Sequence, residues 1–300
     1  MKDWEIFLEK YRTFGDEPSR ATHARLFAPD ATIRHPGMRE PMPAVRYVDF
    51  IVEGLKRLPD FHLIPIHWAV NGDTIFVEAR NTAIVNGKPI EWPATYVVTL
   101  RGEMVVRGHA YYDRSEVLTH FDTTVSSARP NAHAALLKHE APQGSSPIED
   151  DKYASEVYRK IVAPYAANGK DPDPAGFQQF YTADAVMINP GFERPLRREE
   201  MPAYYTALKS QIRNLQLRLE RWAVRPGMLF IEWTVTGEVA GKPLILPNTD
   251  RFTLREMLAT EGVAYFDNLA VRALADPSLA RFNEVSFANL PTGNAKAQIT

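Results

Sequence analysis

The feature that most constrains this chain of 300 residues is an internal duplication. The stretch LFAPDATIRHPGMREP at 26–41 returns as FYTADAVMINPGFERP at 180–195, and HWAVNGDTIFVEA at 67–79 returns as RWAVRPGMLFIEW at 221–233. Carrying their common offset of 154 from position 11 to position 113 without a gap gives 29 identities in 103 pairs. The chain is therefore predicted to hold two copies of one folding unit of about 120 residues.

Composition places the boundaries of the two copies. The repeated patterns occupy residues 1–122 and 151–282, and each stretch is long enough to form its own core. Between them, residues 123–150 are rich in Ser, Ala and Pro, which is typical of a linker. Residues 283–300 show no apolar periodicity, so we expect a flexible tail there.

The composition also excludes several classes of function. A formal charge of −2 gives neither nucleic acid nor an anionic membrane a general reason to bind. The absence of cysteine excludes thiol catalysis and cysteine-ligated metals, and the eight histidines form no metal-binding motif. No dinucleotide or phosphate-loop motif is present, so no cofactor is expected. The sequence has no long apolar segment, which leads us to expect a cytoplasmic protein.

Each copy has the same order of predicted elements. Two helices lead into a short strand and a Pro-Gly turn, and the longest helix of the copy follows. Four segments with period-two alternation come next, separated by turn sequences such as NGD and NGK. This order predicts an α+β unit in which three helices cover the concave face of a curved antiparallel sheet. The unit would be a cone with an apolar mouth, where small molecules bind.

Two motifs carry a resemblance to a known family. The D-A-x-x-x-x-P-G turn that follows the second helix and the A-Y-[YF]-D end of the last strand occur in both copies. With the order of elements, they resemble the NTF2-like superfamily, which includes SnoaL-type polyketide cyclases and ketosteroid isomerases. The resemblance implies two tandem cones packed sheet to sheet as an internal pseudo-dimer, in a chain that is a monomer or a homodimer. Because this fold hosts many reactions, function has to be argued from the cavities.

Strand parity predicts which side chains face each cavity, because alternate residues of a strand point to opposite faces. The candidate cavity residues of the first copy are Tyr11, His35, Asn81, Tyr96 and Tyr112, and those of the second copy are Tyr165, Asn189, Trp233, Asp250 and Phe266. The framework positions agree between the copies, whereas most cavity positions differ. We therefore expect the two cavities to have diverged in function.

The second copy is similar to ketosteroid isomerase in its polar residues. The resemblance places Tyr165 and Asp250 at the two oxyanion-stabilising positions and Asn189 at the place of the general base. Since an amide accepts no proton at neutral pH, Asp250 is alternatively the base itself, with its pKa raised by burial. A third interpretation is that Asp250 is neutralised by a cation such as Arg251.

In the first copy, His35 occupies the base position, and Tyr11 with Tyr96 would supply two hydrogen-bond donors. The alternative is that His35 only bonds a turn and that the tyrosines line an apolar cavity. The leading functional prediction is a cofactor-independent isomerase, cyclase or dehydratase that transfers protons on a small apolar carbonyl compound. The alternative is a non-catalytic binding or accessory protein of the same fold.

Overall fold

The computed structural model describes residues 1–125 and 151–291. Most of the predicted linker and residues 292–300 of the predicted tail lie outside these ranges. The first unit consists of α1 (Asp3–Asp16), α2 (Arg20–Ala24), β1 (Phe27–Arg34), β2 (Met42–Pro43), α3 (Ala44–Arg57), β3 (His62–Asn71), β4 (Thr74–Val85), β5 (Lys88–Arg101), β6 (Met104–Tyr111), α4 (Arg114–Leu118) and a 3₁₀ turn at Thr123–Val125.

The second unit repeats this order. A π-helical turn at Tyr158–Val162 joins its first two helical segments, and a 3₁₀ turn at Arg198–Glu200 precedes its longest single α-helix. Its other elements are α5 (Asp151–Val157), α6 (Ala163–Lys170), α7 (Pro174–Gln178), β7 (Tyr181–Ile188), β8 (Leu196–Arg197), α8 (Met201–Gln211), β9 (Arg213–Arg225), β10 (Met228–Val239), β11 (Lys242–Arg255), β12 (Leu258–Tyr265), α9 (Asn268–Ala275) and 3₁₀ turns at Pro277–Phe282 and Phe287–Asn289.

Each unit has one sheet of six strands. The strand order is β2-β1-β6-β5-β4-β3 in the first unit and β8-β7-β12-β11-β10-β9 in the second. The predictions of an α+β fold and of antiparallel pairing among the four long strands are confirmed. The prediction that the sheet is antiparallel is wrong for the sheet as a whole, because β1 pairs in parallel with β6 and β7 with β12. A parallel pair needs a long crossover connection, and the chain between β1 and β6 supplies one.

Local sequence explains the long hairpins of each sheet. Asn86 and Gly87 join β4 to β5, and both have positive φ angles, of 52° and 74°. An Asn-Gly pair adopts this backbone at low cost, and its twist matches that of the flanking strands. The register between β4 and β5 then runs without a shift from Val85–Lys88 to Thr74–Thr99. This register fixes which residues of β5 face the cavity.

One apolar cluster joins the sheets of the two units. Its members are Ala69, Phe76, Val97 and Tyr111 from the first unit and Ile188, Ala223, Met228, Phe230, Val263 and Tyr265 from the second. The rings of Phe76 and Phe230 stack with their centroids 5.8 Å apart. These two phenylalanines occupy equivalent positions of the repeat, so corresponding surfaces of the two units meet here.

Buried polar contacts flank this cluster reciprocally. The hydroxyl of Tyr265 donates to Glu78 of the first unit, and the hydroxyl of Tyr111 donates to Glu232 of the second. Arg251 also pairs with Glu78, at 3.2 Å. Burial opposes ionisation of Glu78, but the neighbouring positive charge of Arg251 and the hydrogen bonds lower its pKa to about 2. The glutamate and the tyrosine of each bond are identical in the two copies of the repeat, and they form contacts between the units.

The chain after α9 returns to the first unit. The guanidinium of Arg114 donates to the carbonyl oxygens of Phe282 and Val285, each at 2.6 Å. Phe287 is buried against α3, where Gly54 leaves room for it: a Cβ at position 54 would lie 1.8 Å from Cδ1 of Phe287. Residues 283–291, expected to belong to a flexible tail, are instead held on the first unit by these contacts. Among the described residues, no helix is long and apolar enough to span a membrane.

Candidate functional site

The second unit encloses a cavity of about 300 Å³, which we call the second cavity. Helices α6 and α8 and strands β7, β10, β11 and β12 contribute to its wall. Its polar residues are Tyr165, Tyr181, Asn189, Tyr204, Tyr205, Gln211, Asn248, Asp250 and Asn268. The remaining wall is mostly apolar and aromatic, which is typical of sites for small organic molecules.

Asp250 is the one carboxyl group in the wall of the second cavity, as far as the described residues go. It lies on β11 and is only 8% exposed. Burial raises its pKa from 3.8 to about 7, although the Asn248 amide, at 3.1 Å, and Trp233 partly oppose this rise. Near neutral pH, Asp250 therefore populates both the ionised and the protonated form.

Arg251 does not neutralise Asp250. The two residues are adjacent on a strand and their side chains point to opposite faces of the sheet. Arg251 pairs with Glu78 at 3.2 Å and with Glu261 at 2.6 Å. The interpretation of Asp250 as one half of an ion pair with Arg251 is therefore wrong, and desolvation is the main cause of its raised pKa.

Tyr165 and three further tyrosines line the same cavity. Burial raises the pKa of Tyr165 well above its ordinary value, and the neighbouring Tyr205, Tyr181 and Asp250 raise it further. Each phenol is therefore neutral at physiological pH and can donate a hydrogen bond. Asn189 also faces the cavity, and its amide donates to the hydroxyl of Tyr204 at 2.9 Å.

The two other predicted residues of the second unit differ in placement. Phe266 lines the second cavity, as parity indicated. Trp233 is fully buried and does not line the second cavity in the part of the chain that the structure describes. Its ring packs behind that of Tyr165, with the two centroids 5.4 Å apart. Trp233 therefore supports Tyr165 and does not contact the open space.

The first unit encloses a much smaller cavity of about 60 Å³, which we call the first cavity. Its wall is almost entirely apolar or aromatic. Phe287, from the far end of the chain, forms part of this wall. The ring of Phe287 lies 5.5 Å from that of Phe61 and 6.4 Å from that of His35, measured between centroids. Phe287 thus occupies space next to His35.

His35 lies in the first cavity, and its Nε2 hydrogen-bonds the hydroxyl of Tyr47. Its Nδ1 is buried and has no hydrogen-bond partner among the described residues. Burial and the nearby His23 lower the pKa of His35 to about 3. This low pKa argues against His35 as a general base at neutral pH. His35 is neutral at that pH and is a weak base.

Of the four other predicted residues of the first unit, three line the first cavity with His35 and one does not. Tyr11, Tyr96 and Tyr112 line the first cavity, and the rings of Tyr11 and Tyr96 meet edge to face. Asn81 is fully buried behind the described wall, where its Oδ1 accepts a hydrogen bond from the Tyr96 hydroxyl at 3.1 Å. Asn81 therefore orients Tyr96 and does not face the open space.

Sequence reasoning missed several residues of both cavities. Asn248 precedes Asp250 by two positions on one strand, so period-two alternation alone was enough to find it. Tyr204 and Tyr205 come from α8, whose cavity-facing side is harder to assign because apolar residues surround it. No local signal indicated Phe287, since it reaches the first unit from 233 residues beyond Gly54. Among residues 1–125 and 151–291, no group of three or more metal-ligating side chains occurs.

Comparison with known proteins identifies the family. The chain matches the SnoaL-like domain family twice, over residues 11–108 and again over residues 162–262. These two stretches cover more than half of the chain, and the protein therefore belongs to the SnoaL-like domain family as two domains in tandem. The predicted resemblance is confirmed. No curated protein matches the chain.

Several solved structures each match a part of this chain. A hypothetical protein with a ketosteroid isomerase-like fold from Catenulispora acidiphila DSM 44928, in complex with trimethylamine, is 19% identical, with a TM-score of 0.36 over 38% of this chain and 90% of its own. A candidate SnoaL-like polyketide cyclase from Jannaschia sp. CCS1 is 19% identical, with a TM-score of 0.36 over 44% and 96%. An NTF2-like protein of unknown function from Burkholderia pseudomallei K96243 is 17% identical, with a TM-score of 0.37 over 39% and 96%.

Proposed function

We propose that the protein is a cofactor-independent acid–base enzyme whose active site is the second cavity. Its substrate is a small apolar carbonyl compound, and its reaction is a proton transfer of the isomerase, cyclase or dehydratase kind. The observation that carries this proposal is Asp250, a buried carboxyl group with a pKa of about 7 in the wall of a 300 Å³ cavity. A general base works best when its pKa lies near the operating pH.

The cavity residues suggest how the proton moves. In its ionised form, Asp250 takes a proton from the carbon next to the carbonyl group of the substrate. The electron pair of that bond moves to the carbonyl oxygen, and the neutral phenol of Tyr165 donates a hydrogen bond to the resulting enolate. Asp250 then returns the proton to another carbon, or the enolate carbon attacks a second carbonyl carbon and Asp250 returns the proton to the oxygen of that carbonyl group. Asn189 and Tyr204 orient the substrate.

For the first unit, we propose a structural role. His35 is a weak base, and Phe287 and the tyrosines leave only about 60 Å³ of space. That volume is enough for about two water molecules and too small for an organic substrate of several carbons. The roles of His35, Tyr11 and Tyr96 in catalysis stay predictions, and the His35→Asn variant described below tests the role of His35.

We also propose that each sheet curves into a cone with its helices on the concave face and that the two sheets pack against each other as an internal pseudo-dimer. The shared cluster around Phe76 and Phe230 supports this arrangement. So do the reciprocal bonds from Tyr265 to Glu78 and from Tyr111 to Glu232. The chain would then present both cavities without a second copy.

The test is solvent exchange at the carbon next to a carbonyl group. The protein is incubated in D₂O with a panel of cyclic ketones and enones, and deuterium incorporation is followed by NMR. We expect Asp250→Asn to lower the exchange rate by about 10²- to 10⁴-fold, since it removes the base and keeps the shape of the side chain. His35→Asn is the matched control at a buried polar residue of the other cavity, and its rate should stay close to that of the wild type.

Two outcomes would contradict the proposal. The first is an Asp250→Asn variant that exchanges deuterium as fast as the wild-type protein. The second is a wild-type protein that binds ketones in the second cavity without catalysing exchange into any of them, which would favour the non-catalytic alternative. Circular dichroism of each variant establishes that the fold is retained.

A further inference from the structure

A third cavity, of about 290 Å³, lies where the two units meet, and we call it the junction cavity. The first unit lines it with the end of β1, the Pro-Gly turn and the end of β6. The second unit lines it with the first half of β11 and with α9. Its volume is comparable to that of the second cavity, and the function proposed above makes no use of it.

The charged side chains of the junction cavity are all paired except for one. Arg114 binds Asp267 at 2.7 Å, and Arg39 forms an ion pair with Glu284. Arg34, which also lines the cavity, has no carboxylate partner within residues 1–125 and 151–291. The cavity therefore carries one uncompensated positive charge on a partly buried guanidinium, a group that binds carboxylates through two parallel hydrogen bonds.

His109 offers a hydrogen-bond acceptor beside Arg34. The hydroxyl of Tyr111 donates its hydrogen to Glu232 and lies 2.7 Å from Nδ1 of His109. Because a hydroxyl group has a single hydrogen, Nδ1 of His109 must be the donor in this second contact. In a neutral imidazole, Nε2 is then an acceptor, and it has no protein partner among the described residues.

The residues that the second unit contributes to the junction cavity are mostly apolar. They include Pro243, Leu244, Leu246, Pro247, Phe266 and Leu274. At the rim of the cavity, Ile245 is 74% exposed, which makes it one of the most exposed large apolar side chains of the described chain. A ligand that carries a negative charge at one end and an apolar body at the other would match Arg34 and these apolar residues.

The repeat shows that the scaffold does not require these polar residues. The positions equivalent to Arg34 and His109 in the second unit are Ile188 and Val263, which are buried in the shared apolar cluster. One copy therefore folds with apolar side chains at both positions. Arg34 and His109 are thus polar only in the copy in which these positions line the junction cavity.

We propose that the junction cavity is a binding site for a small organic carboxylate. The guanidinium of Arg34 binds the carboxylate group, Nε2 of His109 accepts a hydrogen bond from a donor group of the ligand, and the wall around Leu246 and Phe266 covers its apolar body. Leu246 and Phe266 also line the second cavity, but Asp250 is not part of the described wall of the junction cavity, so the binding proposal is tested separately from the proposed enzymatic activity.

Isothermal titration calorimetry with sodium benzoate tests the proposal, and benzamide serves as the uncharged probe of the same shape. We expect the wild-type protein to bind benzoate at least about tenfold more tightly than benzamide, because only benzoate makes a charge-assisted pair. Arg34→Ile, which copies the residue of the second unit, should weaken benzoate binding by about tenfold or more. Asp250→Asn should leave it unchanged.

A second variant, Arg34→Gln, removes the charge and keeps a polar side chain, so the test does not depend on the folding of one protein. The proposal is overturned if benzoate does not bind the wild-type protein at millimolar concentration. It is equally overturned if benzamide binds as tightly as benzoate, or if both Arg34 variants retain the wild-type dissociation constant. Loss of binding in Asp250→Asn would assign benzoate to the second cavity and would also refute it.

Discussion

The two cavities of this protein differ far more than the two frameworks that enclose them. Both units have the same order of elements and the same six-stranded topology. Yet the first cavity has about 60 Å³ and a histidine of pKa about 3, whereas the second has about 300 Å³ and a carboxyl group of pKa about 7. The contacts between strands were kept after the duplication, while the interior diverged.

One cause of this difference comes from outside the repeat. Phe287 follows the second unit in sequence but packs in the first, where it fills space next to His35. Arg114 and Arg57 hold the same segment by donating to main-chain carbonyl oxygens. The volume of a cavity in this fold therefore depends on segments that reach it from a distance, as well as on the residues of its own strands.

The largest expected effect comes from removing the side chain that fills the first cavity. Phe287→Ala should lower the free energy of unfolding by about 3–5 kcal/mol, because it deletes a buried ring and leaves a void. Urea denaturation measures the loss, and Phe287→Leu should lose less because it keeps most of the apolar contacts. A loss below about 1 kcal/mol in Phe287→Ala would show that this segment is not what closes the first cavity.

The next effect concerns the second cavity and distinguishes the two chemical roles of Asp250. If the ionised carboxylate is the base, the rate of deuterium exchange should fall about tenfold per pH unit below pH 7 and level off above it. Exchange measured between pH 5 and pH 9 gives this profile. A rate that instead rises as the pH falls would assign Asp250 to the protonated, hydrogen-bond-donating role, and the base would lie elsewhere.

A smaller effect on stability accompanies Asp250→Asn. The pKa of Asp250 is higher in the folded protein than the ordinary 3.8, so the folded state holds its proton more tightly and the wild type loses stability as the pH rises from about 4 to about 7. The Asn variant lacks this loss. At pH 8 its free energy of unfolding should exceed that of the wild type by up to about 4 kcal/mol.

Urea denaturation of both proteins at pH 4 and pH 8 checks this expectation. The two proteins should differ little at pH 4, because the folded state keeps Asp250 protonated and the unfolded state has lost only about half of this proton, so most of the pH-dependent loss has not yet developed. Because every other titratable group is shared, the comparison isolates the carboxyl group. An Asn variant that is no more stable than the wild type at pH 8 would indicate that Asp250 is solvated and has an ordinary pKa.

Local regularities of the sequence predicted the features that depend on neighbouring residues. The repeat predicted two units, and strand parity placed Asp250 and Phe266 in the wall of the second cavity. Parity works here because β11 keeps an unbroken register with β10. The same reasoning fails for Trp233 and Asn81, which lie on the expected strands but pack behind a tyrosine. Parity gives the face of a residue and does not give the depth of its side chain.

Features that depend on distant contacts were not predictable in this way. The parallel pairing of β1 with β6 joins segments separated by four strands and a helix, and no local pattern specifies it. The low pKa of His35 depends on burial by α3, Phe287 and the nearby His23. Residues 283–291 are held on the first unit by contacts with Arg114. The sequence alone does not show that these distant positions meet.

The most direct test of the division between the two cavities is a crystal structure of the protein soaked with a cyclic ketone. We expect ketone density in the second cavity, with the carbonyl oxygen within hydrogen-bond distance of the Tyr165 hydroxyl and the adjacent carbon facing Asp250. Phe287 should remain in place in the first unit. A ketone bound beside His35 with Phe287 displaced, and a second cavity without ketone, would contradict this expectation.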